Sequence, residues 1–490
     1  MSGFWLMVPV FLPVLLGVLF PYKKWLKSRT QRVTYIGSAL VLCGILSLAV
    51  ILSANEMSFT FWRMTDALAL TFRMDGMAKL FAVLTTVVWV IVGFYAFGYM
   101  KHEEEEERFY RYYLIVYGVL MGLDFSANLI TMYLFYEMMT LSSLPLVLHS
   151  RTKESVMAGL KYLFYSIAGA FLSLLAIFFF YQYGTTMEFT TGGVLDMAKV
   201  AGNEPVLLLV VFLAIIGFGC KAGMFPLHAW LPTAHPVAPS PASAVLSGVI
   251  TKAGVLAIVR VIFYIAGAEF VRGSWVQYAW IGLSLFTVLM GSMLAYLEPV
   301  LKKRLAYSSV SQVSYVLFGL ATLHPVGVLG ALLHVVFHSL IKNSLFLCAG
   351  SIIEQTGCKR VDELTGIGKK MPGTIWCFTL AGLALVGVPP LSGFVSKWYL
   401  AGGALQAEIG FLGWLGPVVL LVSALLTAGY LFTITMKGFL PGNSEVRYER
   451  CEVPKLMLIP TILLTAGAVL FGIFASPLTE LLEKLIGTFL

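Results

Sequence analysis

Gly217-Phe-Gly-Cys-Lys-Ala-Gly-Met-Phe-Pro226 is an apolar stretch broken by three glycines and a proline, with a lysine at its centre. A second stretch, Gly387-Val-Pro-Pro-Leu-Ser-Gly-Phe-Val-Ser-Lys397, repeats the arrangement and again carries one lysine. Broken hydrophobic segments at matching places in two halves of a chain mark a transport site. Irregular backbone at membrane depth survives only against protein or water, and its freed carbonyls can hold an ammonium. A proline kink beside a snorkelling lysine accounts for either segment alone. It does not account for both.

The rest of the chain sets these breaks inside a membrane. Its 490 residues are 59% hydrophobic and only 12% charged, with mean hydropathy +0.87, against about 25% charged for a soluble protein. Apolar runs of about 20 residues, the length of a spanning helix, fall near 4–22, 33–53, 77–100, 110–124, 127–149, 159–183, 205–226, 240–265, 275–297, 305–323, 326–353, 372–405, 409–437 and 454–475. The expected fold is an all-α polytopic membrane protein of about fourteen helices, one domain over 1–490. The two breaks lie in the seventh and twelfth runs, five apart. That spacing suits two five-helix repeats, helices 4–8 (110–265) and 9–13 (275–437). The 372–405 run is long enough to be broken or re-entrant. The first run lacks a basic leader and a small-residue cleavage site, so it reads as an anchor.

Charge orients the chain by the positive-inside rule. With both termini outside a cell (inner) membrane, twenty-one Lys/Arg fall inside, in groups at 23–32, 101–111, 151–153, 302–304, 359–370 and 437–455. Six fall at the outer boundary and six lie within the membrane, accounting for all 33. The net charge of +8 thus reflects topology and implies no nucleic-acid partner.

The six intramembrane cations are Lys161, Lys221, Lys252, Arg260, Lys342 and Lys397, joined by Glu137, His334 and His338. Each charge at the bilayer centre costs roughly 2.5–3.5 kcal/mol even on lenient scales, so most must face protein or a wet cavity. Glu137 stands too deep to snorkel. An isolated carboxyl there would be neutral, whereas a lysine beside it keeps both charged. Two charges about 4 Å apart interact by roughly 4 kcal/mol at an effective dielectric near 20, enough for such a pair to switch a lysine between holding and releasing a proton. His334, His338 and Lys342 are spaced i, i+4, i+8 on one helical face and form a candidate proton wire. Lys161 and Arg260 sit nearer helix ends, open to function or snorkelling alike. The run Lys101-His-Glu-Glu-Glu-Glu-Glu-Arg108 reads as a solvated loop and Asp75 as a turn residue.

No cofactor is expected. Six cysteines without C-x-x-C spacing read as packing residues, no acidic or cysteine partner stands near the histidines to make a metal site, and there is no Gly-rich phosphate loop with its lysine. With no electron-carrying site, energy must arrive from other chains.

The stretch from Lys221 through His228, His235 and Pro241 to Gly248 resembles the signature of the antiporter-like membrane subunits shared by respiratory complex I, Mrp-type multisubunit Na+/H+ antiporters and membrane-bound hydrogenases. Leu301–Gln312, His334–Lys342 and Gly387–Lys397 add to the resemblance, which covers essentially the whole chain. It implies fourteen helices, inverted repeats and a hydrated central axis. It also implies roles: Glu137 and Lys221 as a charge-switch pair, Lys252 as central carrier, His334 and His338 as relay, Lys397 as terminal carrier. Depth and spacing single out the same positions. The length and Lys397 favour a likeness to the D-type Mrp subunit or its hydrogenase relatives, with a complex I pumping subunit as the alternative. The implied partners are other membrane subunits, protons, Na+ as a further candidate ion, and the bilayer.

Overall fold

A computed structural model of the chain describes residues 3–20, 26–53, 56–65, 68–440 and 449–490. Lys23, Lys24 and Arg447, counted above among the inner charges, lie outside the described residues. One-turn segments aside, the helices are α1 Met7–Val18, α2 Arg29–Ser53, α3 Gly76–Tyr99, α4 Glu106–Asp124, α5 Leu129–Val147, α6 Lys153–Tyr183, α7 Glu204–Ala222, α8 Leu231–Val237, α9 Ser240–Ala266, α10 Trp275–Leu297, α11 Leu301–Ala321, α12 Pro325–Thr356, α13 Pro372–Val386, α14 Ser392–Gln406, α15 Phe411–Phe439, α16 Lys455–Ile473 and α17 Ser476–Ile486. Every apolar run read from the sequence carries helix. Ten of the described helices are long and apolar enough to cross a membrane by length and composition.

Both expected breaks are present. α7 ends at Gly223 and α13 at Gly387, each with positive φ (75° and 92°), a conformation that favours glycine and closes a helix C-terminus. The 372–405 run is therefore two helices, α13 and α14, flanking the Gly387–Leu391 turn.

The long helices α9 and α12 form the core. α9 is buried along its whole length and α12 along most of it, so the charges they carry are kept from lipid by protein. Peripheral α6, α15 and α16 instead expose apolar side chains such as Phe164, Leu425 and Ile459.

The loops sort to two ends. At one, Arg29 pairs with Glu106, His102 with Glu354, and Arg108 donates to the His149 carbonyl; Leu301 bonds Lys359, Gly366 bonds Lys437 and Cys451 bonds Lys370. This is the basic end of the bundle. Within the acidic run, Glu105, Glu106 and Glu107 each meet an arginine (Arg108 at 3.0 Å, Arg29 at 3.0 Å, Arg32 at 3.2 Å). Lys302 and Arg304, counted as loop charges, are buried and donate to the carbonyls of Ala238, Glu298 and Tyr430.

The opposite end departs from the all-α expectation. Antiparallel strands β1 Met57–Arg63 and β2 Ala69–Met74 form a hairpin with an irregularity between Thr60 and Trp62. Its alternating β-branched and aromatic residues sit between apolar runs that dominate a hydropathy reading. Asp75 follows it and is more than a turn residue. Its side chain accepts from the Ala78 amide (2.9 Å), capping α3, and takes a two-pronged ion pair from buried Arg260 (2.7 and 2.8 Å). Arg260 is thus structurally committed and does not snorkel. Burial works to raise the Asp75 carboxyl, but the Arg260 guanidinium more than offsets it, holding the group below the ordinary carboxylate range.

Candidate functional site: a buried polar row

Lys221 lies in the last turn of α7, two residues before the Gly223 cap, and is fully buried. Its Nζ donates to Tyr162 Oη and Ser166 Oγ, both at 2.8 Å, and sits 4.1 Å from the Tyr162 ring centroid. Tyr162 and Ser166 are one turn apart on α6, so a single helical face supplies both acceptors. Tyr162 Oη continues to Ser143 Oγ on α5 (2.8 Å). The Cys220 carbonyl accepts from both the Gly223 amide (3.1 Å) and the Trp230 indole (2.8 Å).

Glu137 does not pair with Lys221 here. Among the described residues no ion pair within 4.0 Å joins them; α6 hydroxyls satisfy the ammonium, and Glu137 Oε1 has no protein partner. Glu137 is half-buried on a face of α5 that also carries Leu134, Met138 and Leu141, exposed by 39%, 38% and 62%.

Lys252 lies between two stretches of α9 wound as π-helix, Leu246–Ile250 and Arg260–Ala266. Such wide turns recur at functional sites. Its Nζ donates to the Ser247 carbonyl (2.7 Å) and Thr251 Oγ1 (3.3 Å) and meets His338 Nδ1 at 2.7 Å. Across that last contact one proton bridges two nitrogens, either of which can hold it. His338 stacks on His334, ring centroids 5.7 Å apart. His334 Nδ1 lies 2.9 Å from Ser396 Oγ on α14, and Lys397 is the next residue. Lys397 Nζ donates to the Leu385 and Val386 carbonyls (2.7 and 2.8 Å), freed where α13 ends, and lies 5.2 Å from the Tyr315 centroid. Lys342 leaves the histidine row. Its Nζ turns to α11, donating to Ser308 Oγ (2.7 Å) and the Leu305 carbonyl (3.0 Å).

Lys252, His338, His334, Ser396 and Lys397 thus make a buried polar row through α9, α12 and α14, by hydrogen bonds at Lys252–His338 and His334–Ser396, stacking of the two imidazoles and adjacency in sequence at Lys397; Lys342 lies on a branch and Lys221 is joined by packing of α7 on α9. Lys161 is half-buried on α6 and takes no place in it. Buried side-chain atoms without protein partners gather on α12, α14 and the adjoining α8 and α11: both nitrogens of His235, His334 Nε2, His338 Nε2, Ser339 Oγ, Asn343 Oδ1, Gln312 and Ser392 Oγ. Buried polar groups demand partners, and such a string of them supplies the multiple contacts that an internal water needs. No three His, Cys, Asp or Glu side chains converge as a metal site among the described residues.

Sequence reasoning missed Tyr162, Ser166, Ser308 and Ser396. The signal was there for the first pair: an i, i+4 Tyr/Ser couple on an otherwise apolar helix, beside Lys161, whose charge is the stronger signal. Ser308 and Ser396 lie inside the Leu301–Gln312 and Gly387–Lys397 stretches, but nothing local singles them out there.

Residues 126–442 match the family described as NADH:quinone oxidoreductase/Mrp antiporter, TM, and residues 62–110 match NADH-Ubiquinone oxidoreductase (complex I), chain 5 N-terminus. The chain is 34% identical over 412 residues to the N subunit of the NADH-quinone oxidoreductase of Desulforudis audaxviator, covering 81% of this chain and 80% of that one. It is 26% identical over 472 residues to the D subunit of the Na(+)/H(+) antiporter of Bacillus subtilis, covering 95% and 93%. Its fold matches a chain of the Mrp complex from Dietzia sp. DQ12-45-1b with TM-score 0.84 at 21% identity, over 99% and 97%. The chain belongs to the membrane-subunit family of NADH:quinone oxidoreductases and Mrp antiporters.

Proposed function

We propose that this chain carries protons through a membrane as one subunit of a multisubunit complex, along the row from Lys221 through Lys252, His338 and His334 to Lys397. The observation that carries the reading is the 2.7 Å contact of Lys252 Nζ with His338 Nδ1 inside a helix pair sealed from lipid. Two bases at that separation exchange a proton without moving either backbone. Fourteen crossings, two five-helix repeats and both termini outside belong to the same reading. In its support, the two broken helices end alike, at left-handed glycines, and the basic loops share one end.

Glu137 acts at the edge of this row. A half-buried carboxyl on an uncovered face would be sealed by a neighbouring membrane subunit, and its charge would then bias the Lys221 ammonium.

Two couplings remain distinct. Similarity to the antiporter's D subunit over nearly both full lengths favours an Mrp-type complex exchanging Na+ for protons. The 34% identity to an oxidoreductase's N subunit favours a redox-driven pump whose electron carriers lie in other chains. The intact complex in proteoliposomes with a pH-sensitive dye separates them. A Na+ gradient drives proton movement in the first case, and an electron donor and acceptor drive it in the second. A complex that moves protons under neither condition overturns the reading.

A further inference from the structure

We propose that His235 is the proton-entry group of the row, taking protons from the basic end of the bundle and handing them to Lys342. The inference rests on the proton-carrying reading above. His235 lies on α8, the short helix between the α7 break and α9, and is fully buried. Neither ring nitrogen has a protein partner, although a neutral imidazole carries one donor and one acceptor. One ring face lies on Phe346, centroids 4.7 Å apart and planes 25° apart, a contact that engages neither nitrogen in a hydrogen bond. The backbone beneath is fixed, since Ser243 Oγ donates to the His235 carbonyl (3.0 Å).

The surroundings give the ring a direction. The charges that reach it are Lys302, from the first turn of α11, and Lys342, from α12. Lys302 is itself buried and donates to the Ala238 carbonyl (2.6 Å), three residues beyond His235. The charges that reach Lys302 in turn are Glu103 and Lys359, from loops of the basic end. Hydrogen bonds along α11 give the same order: the Leu301 amide bonds the Lys359 carbonyl of the basic end (2.9 Å), Lys302 reaches Ala238 beside His235, and Lys342 meets Leu305 and Ser308 further in. A residue needed only to stack on Phe346 would be served by phenylalanine, without two orphaned nitrogens.

In the step, a hydronium from the aqueous phase at the basic end gives its proton to one ring nitrogen and leaves as water. The other ring nitrogen releases its proton to the free amine of Lys342, which becomes ammonium. The ring is left neutral in its other tautomer, and no electrons move. With Lys342 as the free amine, the Lys302 ammonium opposes a lasting imidazolium, so the proton passes on.

The test uses the intact complex in proteoliposomes, with pH set independently on the two sides and assembly verified by co-purification of the partner subunits. His235→Phe keeps the stack, and His235→Gln keeps hydrogen bonding without titration. Both are expected to slow proton transport at least tenfold and flatten its dependence on pH at the basic end, leaving the dependence on the other side unchanged. Wild-type rates in either variant, or equal changes in both pH profiles, overturn the entry role. If both variants fail to assemble, the residue is structural and the proposal falls. A wild-type complex that moves no protons instead overturns the underlying reading.

Discussion

The two break lysines differ in what holds them, and that difference is testable at single residues. Lys397 rests on two backbone carbonyls, Lys221 on two side-chain hydroxyls. If Lys397 must bind and release a proton, Lys397→Arg fails despite keeping its charge, because a guanidinium stays protonated, while Lys397→Glu retains part of the transport. A purely structural cation on those carbonyls would tolerate Arg and reject Glu, so transport by the two assembled variants falls in opposite orders under the two accounts. At Lys221, Tyr162→Phe removes one of two neutral acceptors from a buried ammonium. Hydrogen bonds to charged groups are worth about 1.5–3 kcal/mol. Proton transport by Tyr162→Phe should therefore fall by tenfold or more with assembly intact; an unchanged rate would mean the hydroxyl is dispensable.

At the scale of elements, α7 and α9 meet where Gly254 lies against α7. A Cβ there would stand 2.7 Å from the Ala222 amide nitrogen and the Phe218 carbonyl, and 3.0 Å from the Lys221 Cβ. Overpacking of this kind costs about 1–3 kcal/mol, so Gly254→Ala should lower the melting temperature of the complex and displace Lys221, reducing transport. A variant with unchanged melting and rate would show the helices have room to part. This contact also marks what was legible in the sequence. Hydropathy located the helices, and the Gly/Pro punctuation located both breaks, since these are local properties. The pairing of Lys221 with Tyr162 and Ser166 was not legible, because it depends on which face of α6 meets α7. The expected contact with Glu137 gave way for the same reason. The π turns around Lys252 left no trace in Ser247-Gly-Val-Ile-Thr-Lys-Ala-Gly254, since wide turns arise from packing.

Across the whole molecule, the buried row runs through a bundle whose far end is closed by the hairpin, the Asp75–Arg260 pair and α17. Removing one partner of a buried pair costs about 3–5 kcal/mol. Asp75→Asn should therefore lower thermal stability at neutral pH markedly, read by thermal unfolding in detergent. Because the folded carboxyl is held below its ordinary range, its contribution is present above the unfolded value near pH 4 and lost as pH falls through the folded one. Wild type and Asp75→Asn should converge in stability toward that acid limit and diverge above it. Parallel curves would remove Arg260 as the cause.

The central claim is that protons pass between Lys252 and His338. Lys252→Met keeps an unbranched side chain, shorter only by the terminal atom, and removes the nitrogen that meets His338. Proton uptake by proteoliposomes of the assembled Lys252→Met complex, under the gradient or redox couple that drives the wild type, is predicted to fall to background. Uptake at the wild-type rate would contradict the account.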